Sequence, residues 1–234
     1  MEAAAKASAW SSASAHNRAQ VLYYIAENLA AREGEFAARL GEAGASSRDA
    51  RREVQATLER IFFYAAHADK FDGRIHSTNA KRQTTLAFNE PFGVMGLVCP
   101  AKNALLAFVS LLMPALAMGN RAVIIPAETM PLVATDFYQV LDTSDVPAGT
   151  INIVTGARDE LAKTLADHDE VAALWYHGSK AGVTMVEKAS AGNLKPTWTI
   201  ADGAIDWFDP QQAQGHEYLR RASQVKNIWI PYGE

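Results

Sequence analysis

Few residues of this chain that could do covalent or acid–base work stand at the spacing such work requires. There is one cysteine, Cys99, between Val98 and Pro100. A thiol attacks as the thiolate, which needs a base, a cation or a helix N-terminus beside it. Lys102 is the nearest cation in sequence, and the competing reading of Cys99 is a small buried hydrophobe. A lone cysteine also excludes an internal disulfide framework and a cysteine-based metal cluster. His16, His67, His76, His168, His177 and His216 are scattered without metal-ligand spacing. His168 beside Asp169 reads as a solvated turn, and His177 as a hydrogen-bonded surface histidine. Gly178-Ser179 opens a helical stretch whose first amides could meet a phosphate, although the serine is equally explained as an N-cap. The sequence contains no catalytic triad, phosphate loop or zinc pattern.

The elements that must position these residues fall into three kinds. Up to about residue 72 the chain reads as helices. The N-terminal run rich in Ala and Ser predicts a surface helix. Val21, Leu22, Ile25 and Leu29 then lie on one helical face. Gly34 punctuates that helix, and Phe36 and Leu40 continue in a short second one. A third begins near Ser46, with Asp49 three residues on in a capping-box-like arrangement, and carries Val54, Leu58, Ile61, Phe62 and Ala65 inward.

Residues 73–90 read as a polar β-hairpin turning near Asn79-Ala80-Lys81. A hairpin that buries no face of its own is marginal in water, so it should lie against something else, such as another subunit. After Pro91, short apolar strands alternate with helices. Val94–Val98, Ala122–Ile125, Ile151–Val154, Ala172–Tyr176 and Pro196–Thr199 are the five strands expected of a parallel sheet with right-handed crossovers. Asp202–Gln214 is a polar connecting loop, Gly215–Ala222 a short helix, and Gln224–Pro231 an alternating strand placed to pair with the hairpin.

Composition narrows the function classes. A formal charge of −4 provides no basic footprint for nucleic acid. The longest apolar run, Ala104 to Ala117, is broken by Ser110 and Pro114 and is too short to span a bilayer. Glu2 and the lack of early arginines speak against a transit peptide, leaving a cytoplasmic protein as the expectation. There is no internal repeat.

Four segments carry a resemblance. They are Asn89-Glu-Pro-Phe-Gly-Val-Met-Gly-Leu-Val-Cys-Pro100, Met113-Pro-Ala-Leu-Ala-Met-Gly-Asn120, Asp145-Val-Pro-Ala-Gly-Thr-Ile-Asn-Ile-Val-Thr-Gly156 and Tyr176-His-Gly-Ser179. In that order they closely resemble the nucleotide-binding domain of aldehyde dehydrogenases. Arg18 to Glu27 is similar to the N-terminal helix of that family, and Leu219 to Pro231 to its C-terminal oligomerisation strand. Within the superfamily, the Trp175-Tyr-His-Gly-Ser179 turn and the Gln224-Val-Lys-Asn-Ile-Trp229 ending look most like the second, non-catalytic module of family-16 proteins.

The resemblance implies an α/β fold: a Rossmann-like parallel five-stranded sheet with N-terminal helices and a small β-flap (oligomerisation) sheet, the catalytic domain absent. Its parts would be helices at 1–72 packing on the nucleotide-binding domain, the flap hairpin at 73–90, the Rossmann-like dinucleotide-binding domain at 91–200, and loop, helix and flap strand at 201–234. Where the family places the Glu-Leu-Gly-Gly-Lys motif with its general base, this chain has Thr197-Trp-Thr-Ile-Ala-Asp-Gly203. No cysteine follows Cys99 to serve as nucleophile.

The residues that the resemblance places at a cofactor site, vestigial if retained at all, are Lys102, Asn103, Glu128, Gly156, Gly178 and Ser179. Lys102 stands at the family's oxyanion asparagine, which Asn103 matches only after a one-residue shift. Ile125 stands at the lysine that reaches the adenine ribose, a lost charge-assisted bond of about 1.5–3 kcal/mol. Glu128 is either an acceptor for ribose hydroxyls or a solvated loop carboxylate. Gly156 lies near the family's adenine position or is a plain turn glycine.

The expectation is a module without catalysis of its own, binding no cofactor, within a parent enzyme that uses NAD. Its partner would be an aldehyde dehydrogenase catalytic module in the same polypeptide or a neighbouring subunit, and the assembly a homo-oligomer, a dimer, with neither nucleic acid nor membrane as partner. The alternative is the nucleotide-binding part of an active aldehyde dehydrogenase using NAD(P). Fold resemblance alone does not decide between them.

Overall fold

The computed structural model describes residues 1–76 and 82–232, so the expected turn at Asn79-Ala80-Lys81 lies outside the described residues. Five parallel strands form the central sheet: β3 (Val94–Val98), β4 (Arg121–Ile125), β5 (Ile151–Ile153), β6 (Ala173–Gly178) and β7 (Thr197–Ala201), in the order β5-β4-β3-β6-β7. The chain leaves β3 in one direction through β4 to β5 and then returns to β3's other side for β6 and β7. That reversal puts a topological switch point between β3 and β6, where open α/β sheets place a ligand crevice.

Period-two alternation divides the sheet residues between two cores. Met95, Leu97, Ile124 and Trp175 face one helical layer. This layer contains α3 (Ala15–Ala31), α4 (Glu33–Glu42), α5 (Ser47–His67), α6 (Ala104–Ala117) and α7 (Pro131–Asp142). Val94, Val98, Val123 and Tyr176 face the other layer, with α8 (Arg158–Asp167) and α9 (Lys180–Ala189). All of α6 is buried, so its apolar surface runs around the whole helix rather than along one stripe.

The flap is a separate antiparallel sheet of β1 (Arg74–His76), β2 (Gln83–Pro91) and β8 (Ser223–Pro231), ordered β1-β2-β8. β2 and β8 pair along their whole length, from Gln83↔Pro231 to Pro91↔Ser223. Asn120 ties the root of the flap to the main sheet. Its Oδ1 accepts from the Phe92 and Gly93 amides, and its Nδ2 donates to the Ala115 and Ala222 carbonyls. Gly119 before it has φ +85, a left-handed turn that favours glycine just past a helix.

Three expectations are corrected. The N-terminal run is two short helices, α1 (Glu2–Lys6) and α2 (Ser8–Ser12), and lies partly in the core: Ala4 and Trp10 are buried, and the Trp10 indole donates to the Leu116 carbonyl at 3.1 Å. Phe62 is exposed, because on α5 it falls beside the stripe of Val54, Leu58, Ile61 and Ala65 and stacks obliquely on Tyr23 instead. The break between α3 and α4 is at Arg32, with Gly34 inside the next helix. Ser46 caps α5 as its spacing implied, its side chain accepting from the Asp49 amide at 3.1 Å. No helix among the described residues is long and apolar enough to cross a membrane.

Lys195 shows how a charge is accommodated where the chain enters β7. Its buried ammonium donates to the Leu165, Ala166 and His168 carbonyls at 3.2, 2.6 and 2.7 Å, capping the C-terminal end of α8. Lys195→Met is expected to destabilise the chain by about 1–3 kcal/mol, since three carbonyls lose a charged donor. Urea denaturation at neutral pH measures it, and an unchanged midpoint would refute the cap.

Candidate functional site

All six singled-out residues lie at the carboxyl ends of the main-sheet strands, but in two groups. Glu128, Gly156, Gly178 and Ser179 surround the start of α8. The Glu128 carboxylate accepts from the Arg158 amide at 3.3 Å, which joins the loops after β4 and β5. Ser179 is the N-cap of α9, its hydroxyl accepting from the Gly182 amide at 2.9 Å and donating to Asp159 at 3.4 Å. Gly156 is exposed.

Sequence reasoning missed the residues that dominate this group. Tyr176 turns its ring toward α8 and α9, and its hydroxyl donates to the Asp159 carboxylate at 2.6 Å. A Cβ built on Gly182 would meet that hydroxyl oxygen at 1.8 Å, and one on Gly178 would meet it at 2.4 Å. The phenol therefore lies directly over the first turn of α9, in space left by the two glycines. Burial raises its pKa, and the adjacent Asp159 carboxylate raises it further. Arg158 completes the cluster, with its guanidinium 3.4 Å from Asp159 and 3.6 Å from Asp202. One signal in the sequence was the pairing of small residues at 178 and 182 with a large one at 176.

Lys102 and Asn103 stand apart, at the turn between β3 and α6. Asn103 is left-handed, at φ 55 and ψ 56, and its side chain does not cap α6. The Glu53 carboxylate does so instead, accepting from the Leu105 and Leu106 amides at 3.0 and 3.2 Å. Burial raises the pKa of Glu53, and these two amides oppose the shift. Lys102 and Asn103 line a cavity of about 330 Å³ with Asp202, Ile205 and Trp207.

Two further groups have lost the option of chemistry. Cys99 is fully buried facing α6, and burial pushes its thiol well above the ordinary range, so little of it is thiolate at neutral pH. His177 is not the hydrogen-bonded surface residue expected. It is buried, neither ring nitrogen has a partner among the described residues, and burial lowers its pKa to about 3. Trp198 and Trp207 enclose the imidazole, with ring centres at 5.7 and 5.4 Å. The alternation that turns Tyr176 to one face turns His177 to the other, where the segment after β7 covers it. Among the described residues no group of three His, Cys, Asp or Glu could hold a metal ion.

An open parallel sheet wound on both faces, with a crevice at its switch point, defines a doubly wound α/β protein of dinucleotide-binding type. The family model "Aldehyde dehydrogenase family" matches residues 1–204, and the chain belongs to that family. It is 33% identical over 179 residues to 2,5-dioxopentanoate dehydrogenase of Saccharolobus solfataricus, which covers 76% of this chain and 37% of that protein. It is 36% identical over 188 residues to hydroxyisobutyraldehyde dehydrogenase of Mycolicibacterium austroafricanum, covering 76% and 36%. Among solved structures, PnpE in complex with nicotinamide adenine dinucleotide superposes with a TM-score of 0.82 at 28% identity, covering 85% of this chain and 41% of PnpE. The chain thus spans well under half the length of these relatives.

Proposed function

We propose that this chain is a non-catalytic aldehyde dehydrogenase-like module, of the kind found as the second module of family-16 proteins. Its flap packs on the catalytic module of an NAD-dependent aldehyde dehydrogenase in the cytoplasm, in the same polypeptide or a neighbouring subunit, and the assembly is a dimer. The observation that carries this reading is the Tyr176–Asp159 pair at the start of α9. A dinucleotide needs a helix start offering free amides to its pyrophosphate. Here a phenol covers the first turn and a carboxylate already supplies the negative charge. A second anion about 4 Å from Asp159 would be opposed by up to about 4 kcal/mol at an effective dielectric constant near 20, a repulsion that Arg158, shared with Asp202, offsets only in part. With Ile125 in place of the lysine that the resemblance puts at the ribose, the residues present do not fit the cofactor.

The supply of catalytic groups points the same way. Residues 202–222 run directly from β7 to β8, in the interval where the family resemblance places the catalytic cysteine. The retained flap meanwhile exposes a surface in need of cover. Ile75, Phe88, Ile228 and Ile230 are exposed on one face, and Val225 and Trp229 on the other. β8 is also a nine-residue edge strand, and long apolar edges in native proteins are normally covered.

Sedimentation velocity of the chain, alone and with an aldehyde dehydrogenase catalytic module, tests the packing role. A dimer or complex that Trp229→Asp with Ile228→Asp dissociates, with the helical signal unchanged, is the expected result. A monomer that binds no catalytic module would refute it. The competing reading, a working nucleotide-binding part of an active enzyme, draws on Glu128 and Gly156, both still exposed at the crevice. It requires the α9 start to accept phosphate. Inorganic pyrophosphate separates the two: Asp159→Asn with Tyr176→Phe is expected to tighten its binding at least about tenfold, the equivalent of 1.4 kcal/mol, read from the Gly182 amide resonance. Equal binding by both chains would count against the plug.

A further inference from the structure

The cavity of about 330 Å³ at the ends of β3 and β7 plays no part in the packing role. Its size is within the range of small-molecule clefts and corresponds to on the order of ten water volumes. Its lining combines two opposite charges with an apolar wall. Lys102 and Asn103 come from the turn after β3 and Asp202 from the end of β7, with β6 lying between those two strands, and Pro100, Ile205 and Trp207 also line the cavity. The charges do not neutralise each other. Asp202 is paired only with Arg158, at 3.6 Å, and among the described residues Lys102 and Asn103 make no side-chain ion pair or hydrogen bond. Lys102 is a free cation among the described residues, and Asp202 shares the single Arg158 guanidinium with Asp159, so the cleft presents a cation and an incompletely compensated carboxylate, more than an ion-pair distance apart, to a ligand carrying both complements. The first amides of α6 are held by Glu53, so the anion end relies on the Lys102 and Asn103 side chains.

We propose that this cavity binds a small zwitterionic amino acid, its carboxylate at Lys102 and Asn103, its ammonium at Asp202, and its apolar carbons against Trp207 and Ile205. A free carboxylate satisfies only the first side and is repelled by the second, while an amine does the reverse. The ligand class follows from that pair of preferences and is independent of whether the α9 start takes phosphate.

The probes are L-leucine and its two single-charge analogues, 4-methylpentanoate and isopentylamine, titrated into the full chain and followed by amide resonances. Leucine is expected to saturate, shifting Ala101 to Asn103 and Gly203 to Trp207, with each analogue about tenfold weaker or more, as expected for one lost charge-assisted bond. Lys102→Met is expected to weaken leucine by a similar factor and leave isopentylamine unchanged; this exposed side chain makes no intramolecular bond, so the fold is retained. Asp202→Asn is expected to do the converse. Absence of saturation by about 10 mM, a free energy weaker than about 3 kcal/mol, overturns the proposal. So does 4-methylpentanoate binding as tightly as leucine, or an effect of Lys102→Met on both ligands alike.

Discussion

His177→Leu is expected to abolish a loss of stability that the native chain suffers between pH 6.5 and pH 4.5, a difference of about 2–3 kcal/mol over that interval. Burial between Trp198 and Trp207 lowers the imidazole to about 3 from an ordinary value of 6.5. The unfolded chain therefore takes up a proton below pH 6.5 that the folded chain refuses. Stability is complete above 6.5 and falls by about 1.4 kcal/mol for each pH unit toward the folded value. Below about 4.5 the lowered carboxyls of Glu35, Asp69 and Glu217 add acid lability of their own, and the raised carboxyl of Glu53 acts in the opposite direction, so the histidine effect is read from the difference between the two chains. Leucine retains most of the packing and removes an imidazole whose nitrogens have no partner, so its cost at pH 7 is small. Denaturant titrations of both chains at pH 7, 5.5 and 4.5 measure the effect. Parallel profiles would show that the imidazole is not sealed in.

Arg60→Ala is expected to cost about 3 kcal/mol, lowering the melting temperature of a chain this size by roughly 6–12 °C. Arg60 is a buried cation that makes no ion pair among the described residues. Its guanidinium donates to the Ser110 hydroxyl and to the Ala213 carbonyl, and at 3.0 Å to the Trp207 carbonyl. Both carbonyls belong to the segment linking β7 to β8, so one side chain on α5 fastens that connection. Its loss leaves two buried acceptors unpaired and a void beneath Trp207. Hydrogen exchange resolves the effect: amides of residues 203–222 are expected to exchange faster in the variant while those of β3 and β4 hold. Uniform acceleration across the sheet would indicate a global loss with no special role for this latch.

Much of this architecture could be read from the chain because the elements obey local rules. Val94–Val98 is uninterrupted apolar sequence and forms a strand over those residues, buried on both faces. Gln224–Pro231 alternates and pairs with β2 one residue longer than its pattern implied. Ser46 and Ser179 stand where helices begin and cap them. The site was less legible, since its meaning depends on which residues converge from distant elements. Tyr176, Asp159 and Gly182 come from β6, α8 and α9, and no spacing rule links a tyrosine to a carboxylate seventeen places earlier. The error at His177 has the same origin. Its burial is set by Trp198 and Trp207, residues of a later strand and a loop that sequence polarity marked as exposed. Trp10 was misassigned for a related reason, as its partner Leu116 lies on a helix far along the chain.

On the proposed reading, a nucleotide fold is retained while its cofactor site is filled by its own side chains. Isothermal titration of the full chain with NAD+ tests it most directly. With the α9 start occupied by the Tyr176–Asp159 pair, no saturable heat is predicted in the micromolar range, where binding would amount to about −8 kcal/mol. A micromolar dissociation constant would contradict the account.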